Sequence, residues 1–144
     1  MSPTRLSPSS KSIGRLVAAF LLTSGTLTLA TAPVEADSRS ITGKWRGNGV
    51  VNLKSGGKEQ VRCSVTYGRI AGQDFSVDAR CASGAGRLDQ RGTLRRVQGN
   101  RYVGTLKNVQ YSVTANVIVN VSGSTQSVSI SSSEGTATLR LARR

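Results

Sequence analysis

The chain contains no histidine among its 144 residues. That absence removes the commonest general base and the commonest metal ligand together. Ser-His-Asp and Cys-His arrangements are therefore excluded. Acidic residues are scarce: Asp and Glu number 7 against 20 Lys and Arg, a formal net charge of +13. Glu59, Asp74, Asp78 and Asp89 fall in strand-like segments and Glu134 in a turn. Asp74 and Asp78 share a face, but four residues of strand span about 13 Å, whereas glycosidase carboxylates sit roughly 5–9.5 Å apart. The pair reads as part of a solvated face. Aromatic residues make up 4% of the chain, too few for a base-stacking platform, which disfavours nucleic acid as a partner. No G-x-G-x-x-G or Walker sequence is present to cradle phosphate. Ser55-Gly56-Gly57-Lys58 matches S-x-x-K, but the S-D-N and K-T-G elements that accompany it in penicillin-binding enzymes are missing. The chain reads as a non-enzyme with no cofactor.

Long apolar runs are also few. Leu16–Leu22 is unbroken and follows the positive residues Arg5, Lys11 and Arg15. Val34-Glu35-Ala36 then presents small and β-branched residues where a signal peptidase reads. Residues 1–36 are thus expected to be a signal peptide and 37–144 a single β-barrel domain. Cleavage after Ala32 would put Pro33 beside the scissile bond. An uncleaved anchor is the competing reading, but a spanning helix wants about 20 strongly apolar residues, and Thr23–Thr31 is too polar to complete one. The mature chain is expected to have no integral membrane span and to be periplasmic or secreted.

Cys63 and Cys81 are the two cysteines. In an exported chain they read as one disulfide. A metal site is the rival, but two thiols without histidine do not complete a tetrahedral set without unusual carboxylate help. A reactive pair is the third reading, and the spacing is not C-x-x-C.

Beyond residue 36 there is no helical signature. Short segments alternate apolar and polar residues between Gly, Asn and Ser clusters, which argues strands. About eight are expected: 41–53, 59–67, 74–82, 87–97, 101–106, 111–121, 126–132 and 136–142. Residues 68–73 read as a loop. Val61, Cys63, Val65 and Tyr67 share one parity, as do Phe75, Val77, Ala79 and Cys81, so both cysteines face inward on neighbouring strands. The expected fold is all-β, with antiparallel strands forming a small closed or partly open barrel with one disulfide. Lys44-Trp45-Arg46-Gly47 is echoed by Arg101-Tyr102-Val103-Gly104, a duplication or a chance match.

Arg91, Arg95, Arg96 and Arg101 fall on the hairpin turned by Gln98-Gly99-Asn100. Like charges on adjacent strands repel unless solvent or an anion offsets them. The four are the candidate anion-binding residues, for an anionic envelope polymer. The plainer reading is a solvated face that keeps strand surfaces soluble.

Gly43-Lys44-Trp45 resembles the G-x-W signature of the calycin barrels. The resemblance implies that Trp45 closes one end of the barrel under an arginine from a late strand, for which Arg140 is the candidate. Trp45, Cys63 and Cys81, in that order, are also similar to the periplasmic metalloprotease-inhibitor barrels, which implies an N-terminal arm, here Asp37-Ser38-Arg39-Ser40, entering a protease cleft. Trp45-Arg46-Gly47-Asn48-Gly49 with two cysteines resembles small exported alphaproteobacterial proteins of unknown function, which implies no activity. The functional expectation is an exported, non-enzymatic binding or structural module of the envelope, with a periplasmic protease inhibitor as the alternative.

Overall fold

The computed structural model describes residues 40–144. The expected signal peptide and residues 37–39 lie outside the described residues. Eight strands follow one another: β1 (Gly43–Leu53), β2 (Lys58–Ala71), β3 (Asp74–Ser83), β4 (Gly86–Gln98), β5 (Arg101–Asn108), β6 (Thr114–Ser122), β7 (Thr125–Ser132) and β8 (Gly135–Arg143). Each pairs antiparallel with the next, and β8 returns to β1, closing the barrel. The closing seam runs from Trp45 opposite Arg143 to Leu53 opposite Gly135. Closure leaves no strand edge in want of a partner.

The alternation of side chains decides what the barrel encloses. Odd-numbered residues of β1, β2, β3 and β6 face in: Trp45, Cys63, Val65, Tyr67, Phe75, Val77, Ala79, Ala115, Val117 and Val119 are all buried. Even-numbered neighbours such as Arg46, Arg62, Arg80 and Asn116 are exposed. Cys63 stands opposite Cys81 in the β2–β3 ladder with Cα atoms 4.1 Å apart, and the two are joined. Polar side chains thus face out and apolar ones in, the reverse of a membrane-spanning barrel.

Glycine stands where the backbone of the neighbouring strand leaves no room for a side chain. A Cβ on Gly47 would lie 1.9 Å from the Arg140 carbonyl oxygen, and one on Gly104 1.9 Å from that of Thr93. Only glycine permits such an approach of neighbouring backbones, and it does so where β1 meets β8 and β4 meets β5.

Two boundaries differ from expectation by more than two residues. Residues 68–71 continue β2 instead of forming a loop, since a register shift between Arg69 and Ala71 carries the ladder on to a tight turn at Gly72. Tyr111–Val113 is not strand. The Asn108 side-chain oxygen accepts hydrogen bonds from the backbone N–H groups of Gln110 and Tyr111, at 2.7 and 3.0 Å. Those bonds turn the chain locally, as Asn side chains favour, and override the alternation pattern.

Candidate functional site

The barrel is filled at one end and hollow at the other. The filled end holds the bulky buried side chains Trp45, Phe75, Tyr102, Ile41 and Leu94. Phe75 and Tyr102 meet edge to face with centroids 5.3 Å apart. Three arginines cover the rings: Arg143 over Trp45 at 4.3 Å, Arg69 over Phe75 at 5.1 Å and Arg96 over Tyr102 at 6.0 Å. The Trp45 indole N–H donates to the Ile41 carbonyl at 2.8 Å. Arg143 donates to the Thr42 carbonyl at 2.6 Å and to the Ser40 carbonyl. Residues 40–42 are therefore strapped across this end by one indole and one guanidinium.

The expected partner of Trp45, Arg140, is not the one found. Arg140 is exposed and paired in register with Asn48 on the outer wall. Strand parity explains the correction: Leu139 and Leu141 face inward and are buried, so the next inward position is Arg143. Gly43 sits at the start of β1 with φ of 112°, and a Cβ there would lie 3.3 Å from the Arg143 guanidinium. Trp45 itself is buried at this end, beneath the Arg143 guanidinium.

At the opposite end the inward positions carry smaller side chains. Val51, Val61, Ala115 and Ala137, with the Cys63–Cys81 bridge, Ile130 and Leu139, surround a cavity of about 530 Å³. It narrows inward to a further space of about 20 Å³, bounded by Val65, Tyr67, Val77, Leu94 and Leu106. The second space holds about one water-sized probe. The main cavity lies within the range of small-molecule sites, roughly 300–1,000 Å³.

Polar groups punctuate this apolar wall. Glu59 and Gln90 line the cavity from inward positions of β2 and β4, and both are half-buried. Arg87, Glu134 and Ser132 line it near the mouth. Tyr111 and Val109, in the β5–β6 connection, are 71% and 58% exposed, and Tyr111 borders the opening. Deeper, toward the filled end, the Gln126 side-chain amide donates to the Tyr67 hydroxyl at 3.2 Å. Burial pushes the Tyr67 phenol well above its ordinary range, and the Gln126 hydrogen bond opposes that rise. Among the described residues, no three His, Cys, Asp or Glu side chains converge as a metal site.

The candidate anion-binding hairpin is placed differently from expectation. Arg95 is bidentate to Asp74, at 2.7 and 2.9 Å, and Arg91 bonds Asp78 at 3.1 Å. Arg80 and Asp89 approach to 3.6 Å. All three pairs are directly opposed in the β3–β4 ladder. Hydrogen bonding to Arg95 holds the Asp74 carboxyl below the usual range. Arg96 lies over Tyr102 and donates to the Gly99 carbonyl, while Arg101 is exposed. The four arginines thus form no open cluster. The anion that offsets Arg91 and Arg95 is the outward row of β3, the same Asp74 and Asp78 that read as a solvated face.

No family model matches the chain, and no curated protein is similar to it in sequence. Solved structures are similar in fold. One is the redesigned beta barrel mFAP0 bound to DFHBI, with a TM-score of 0.60 and 11% identity over 71% of this chain and 97% of that one. A second is a de novo designed fluorescence-activating beta barrel, with a TM-score of 0.59 and 14% identity over 74% of this chain and 96% of that one. A third is Rv2717c from M. tuberculosis, with a TM-score of 0.50 and 11% identity over 72% and 92%. The likeness is one of fold: a closed up-and-down antiparallel barrel.

Proposed function

We propose that this chain is an exported, non-enzymatic barrel that binds a small, largely apolar molecule in the cavity at its open end. The observation that carries the proposal is the asymmetry of the interior. Bulky rings fill one end, while Val, Ala and a disulfide leave about 530 Å³ at the other. A barrel selected for stability alone would fill that space, because each unfilled volume costs contact energy. Glu59 and Gln90 supply the few convergent polar groups that orient a ligand in an apolar pocket. The designed barrel mFAP0, similar in fold, is bound to a small molecule, DFHBI, which supports the architecture as a ligand holder.

Export is supported by the signal-like pattern of residues 1–36 and by a disulfide, which persists in oxidising compartments. The protease-inhibitor alternative gains no comparable support. Of its expected arm, Ser40 is held at the filled end by Arg143, and residues 37–39 lie outside the described residues. The test is to purify the exported protein without detergent, denature it and analyse the extract by mass spectrometry. Close to one apolar small molecule per chain is expected. An empty extract, together with no binding of a neutral solvatochromic dye, contradicts the proposal.

A further inference from the structure

Seven of the eight strands form three outer walls of different electrostatic character; β5, between two of them, carries the exposed Arg101 and Lys107. On β6 and β7 the outward positions carry Ser, Thr, Asn and Ile, with no charge. On β3 and β4, Arg80, Arg91 and Arg95 each face an aspartate across the ladder. On β8, β1 and β2 the outward positions include Lys44, Arg46, Lys58, Arg62 and Arg140, all exposed, and no acidic residue. None of these five side chains makes an ion pair or hydrogen bond with a described residue.

The geometry of the third wall is specific. Asn48 is flanked in register by Arg62 on one side and Arg140 on the other. Two strand spacings separate those arginines, about 10 Å, and Arg46 lies about 7 Å along β1 from Asn48. Mutual repulsion at such distances in water is only about 0.4 kcal/mol per pair, so the fold tolerates the cluster without needing it. Charge that guards strand edges is not required either, because the barrel is closed. The β3–β4 wall shows that aspartates opposite arginines are available to this architecture; the β8–β1–β2 wall has none.

We propose that the β8–β1–β2 wall, centred on Arg46, Arg62 and Arg140, binds an acidic polysaccharide. Guanidinium forks pair bidentately with carboxylate and sulfate oxygens. Asn48, Gln60, Ser64 and Thr138, exposed between the arginines, supply donors and acceptors for sugar hydroxyls. The paired stretches of this wall present no aromatic side chain on which a base could stack. Val50, half-buried, is the largest apolar residue on its outward rows between Lys44 and Asn52, too little to insert into a bilayer. The surface is independent of the cavity, so either proposal stands if the other falls.

The experiment compares the full exported chain with a triple variant, Arg46→Ser, Arg62→Ser and Arg140→Ser. The control is a variant of equal charge on the β4–β5 wall, Arg91→Ser, Arg101→Ser and Lys107→Ser. Binding to heparin and to polygalacturonate is measured across a salt series, with duplex DNA and phosphatidylglycerol vesicles in parallel and melting curves for every variant. The wall variant is expected to lose about tenfold or more in affinity for at least one glycan, with a flatter salt dependence because fewer counterions are released. The control is expected to change little. Heparin and polygalacturonate separate a sulfated from a carboxylated source. Equal loss in both variants means net charge alone is read and overturns the proposal. So does tighter, wall-dependent binding to DNA or to vesicles than to either glycan, or no glycan binding by the wild type.

Discussion

Arg143→Ala is expected to cost about 2–3 kcal/mol. The guanidinium lies 4.3 Å from the centre of the Trp45 ring, a contact worth about 0.5–2 kcal/mol depending on its desolvation. It also donates two hydrogen bonds to the carbonyls of Ser40 and Thr42. Charged donors gain roughly 1.5–3 kcal/mol each when buried, and Arg143 is only half-buried. The low end applies, and the contributions overlap because one side chain makes them all. For a domain of this size the melting temperature should fall by about 10–20 °C. Urea unfolding gives the free energy directly, and an unchanged m-value would show that the unfolded state is unaltered. Trp45 is the one tryptophan of the chain, so its emission reports on this end and should shift to the red. Arg140→Ala is the internal control, within about 0.5 kcal/mol of wild type as for exposed substitutions generally. Equal effects of the two substitutions would refute the strap.

Three further outcomes are expected from the fold. Replacing both Cys63 and Cys81 by Ser should cost roughly 3 kcal/mol, the chain-entropy value for a loop of this length, read as a lower urea midpoint relative to the oxidised protein. Gly104→Ala should cost about 1–3 kcal/mol, because the new methyl would lie 1.9 Å from the Thr93 carbonyl oxygen; a melting temperature equal to wild type would contradict it. Asp74 should titrate below the ordinary aspartate range, because Arg95 bonds its charged form. A folded-state pKa depressed in this way contributes stability above the unfolded value, near 3.9, that is lost as pH falls through the folded value. Carboxyl NMR titration checks this, and Arg95→Ala should return Asp74 toward its ordinary value.

The barrel is legible in the sequence because a closed sheet with a dry interior writes itself as alternation. Val61 to Tyr67 and Phe75 to Cys81 carry both the strand parity and the disulfide. Tyr111 misleads because its parity matches the strand that follows, while the Asn108 turn that governs it is a local side-chain effect. Arg143 is within reach of the same parity rule through Leu139 and Leu141, but its position at the strand end obscures it. The β3–β4 ion pairs require register, since residues 13 and 21 apart in sequence meet there. Asp78 and Arg91 are unrelated until two strands align. The cavity is the least legible feature. A modest interior of Val, Ala and Gly is visible, but its concentration at one end depends on which strand ends meet, and that is a property of the closed topology.

The most direct test of the binding claim fills the cavity without touching the strap. Ala115→Phe with Ala137→Phe places two rings into the space that both alanines border. A neutral, apolar, environment-sensitive dye is titrated into wild type and into the double variant, with near-ultraviolet circular dichroism confirming the fold of each. One site in the wild type, and at least a tenfold weaker site in the double variant, about 1.4 kcal/mol, is the result expected. Undiminished binding by a folded double variant, or no binding by the wild type, would contradict the account.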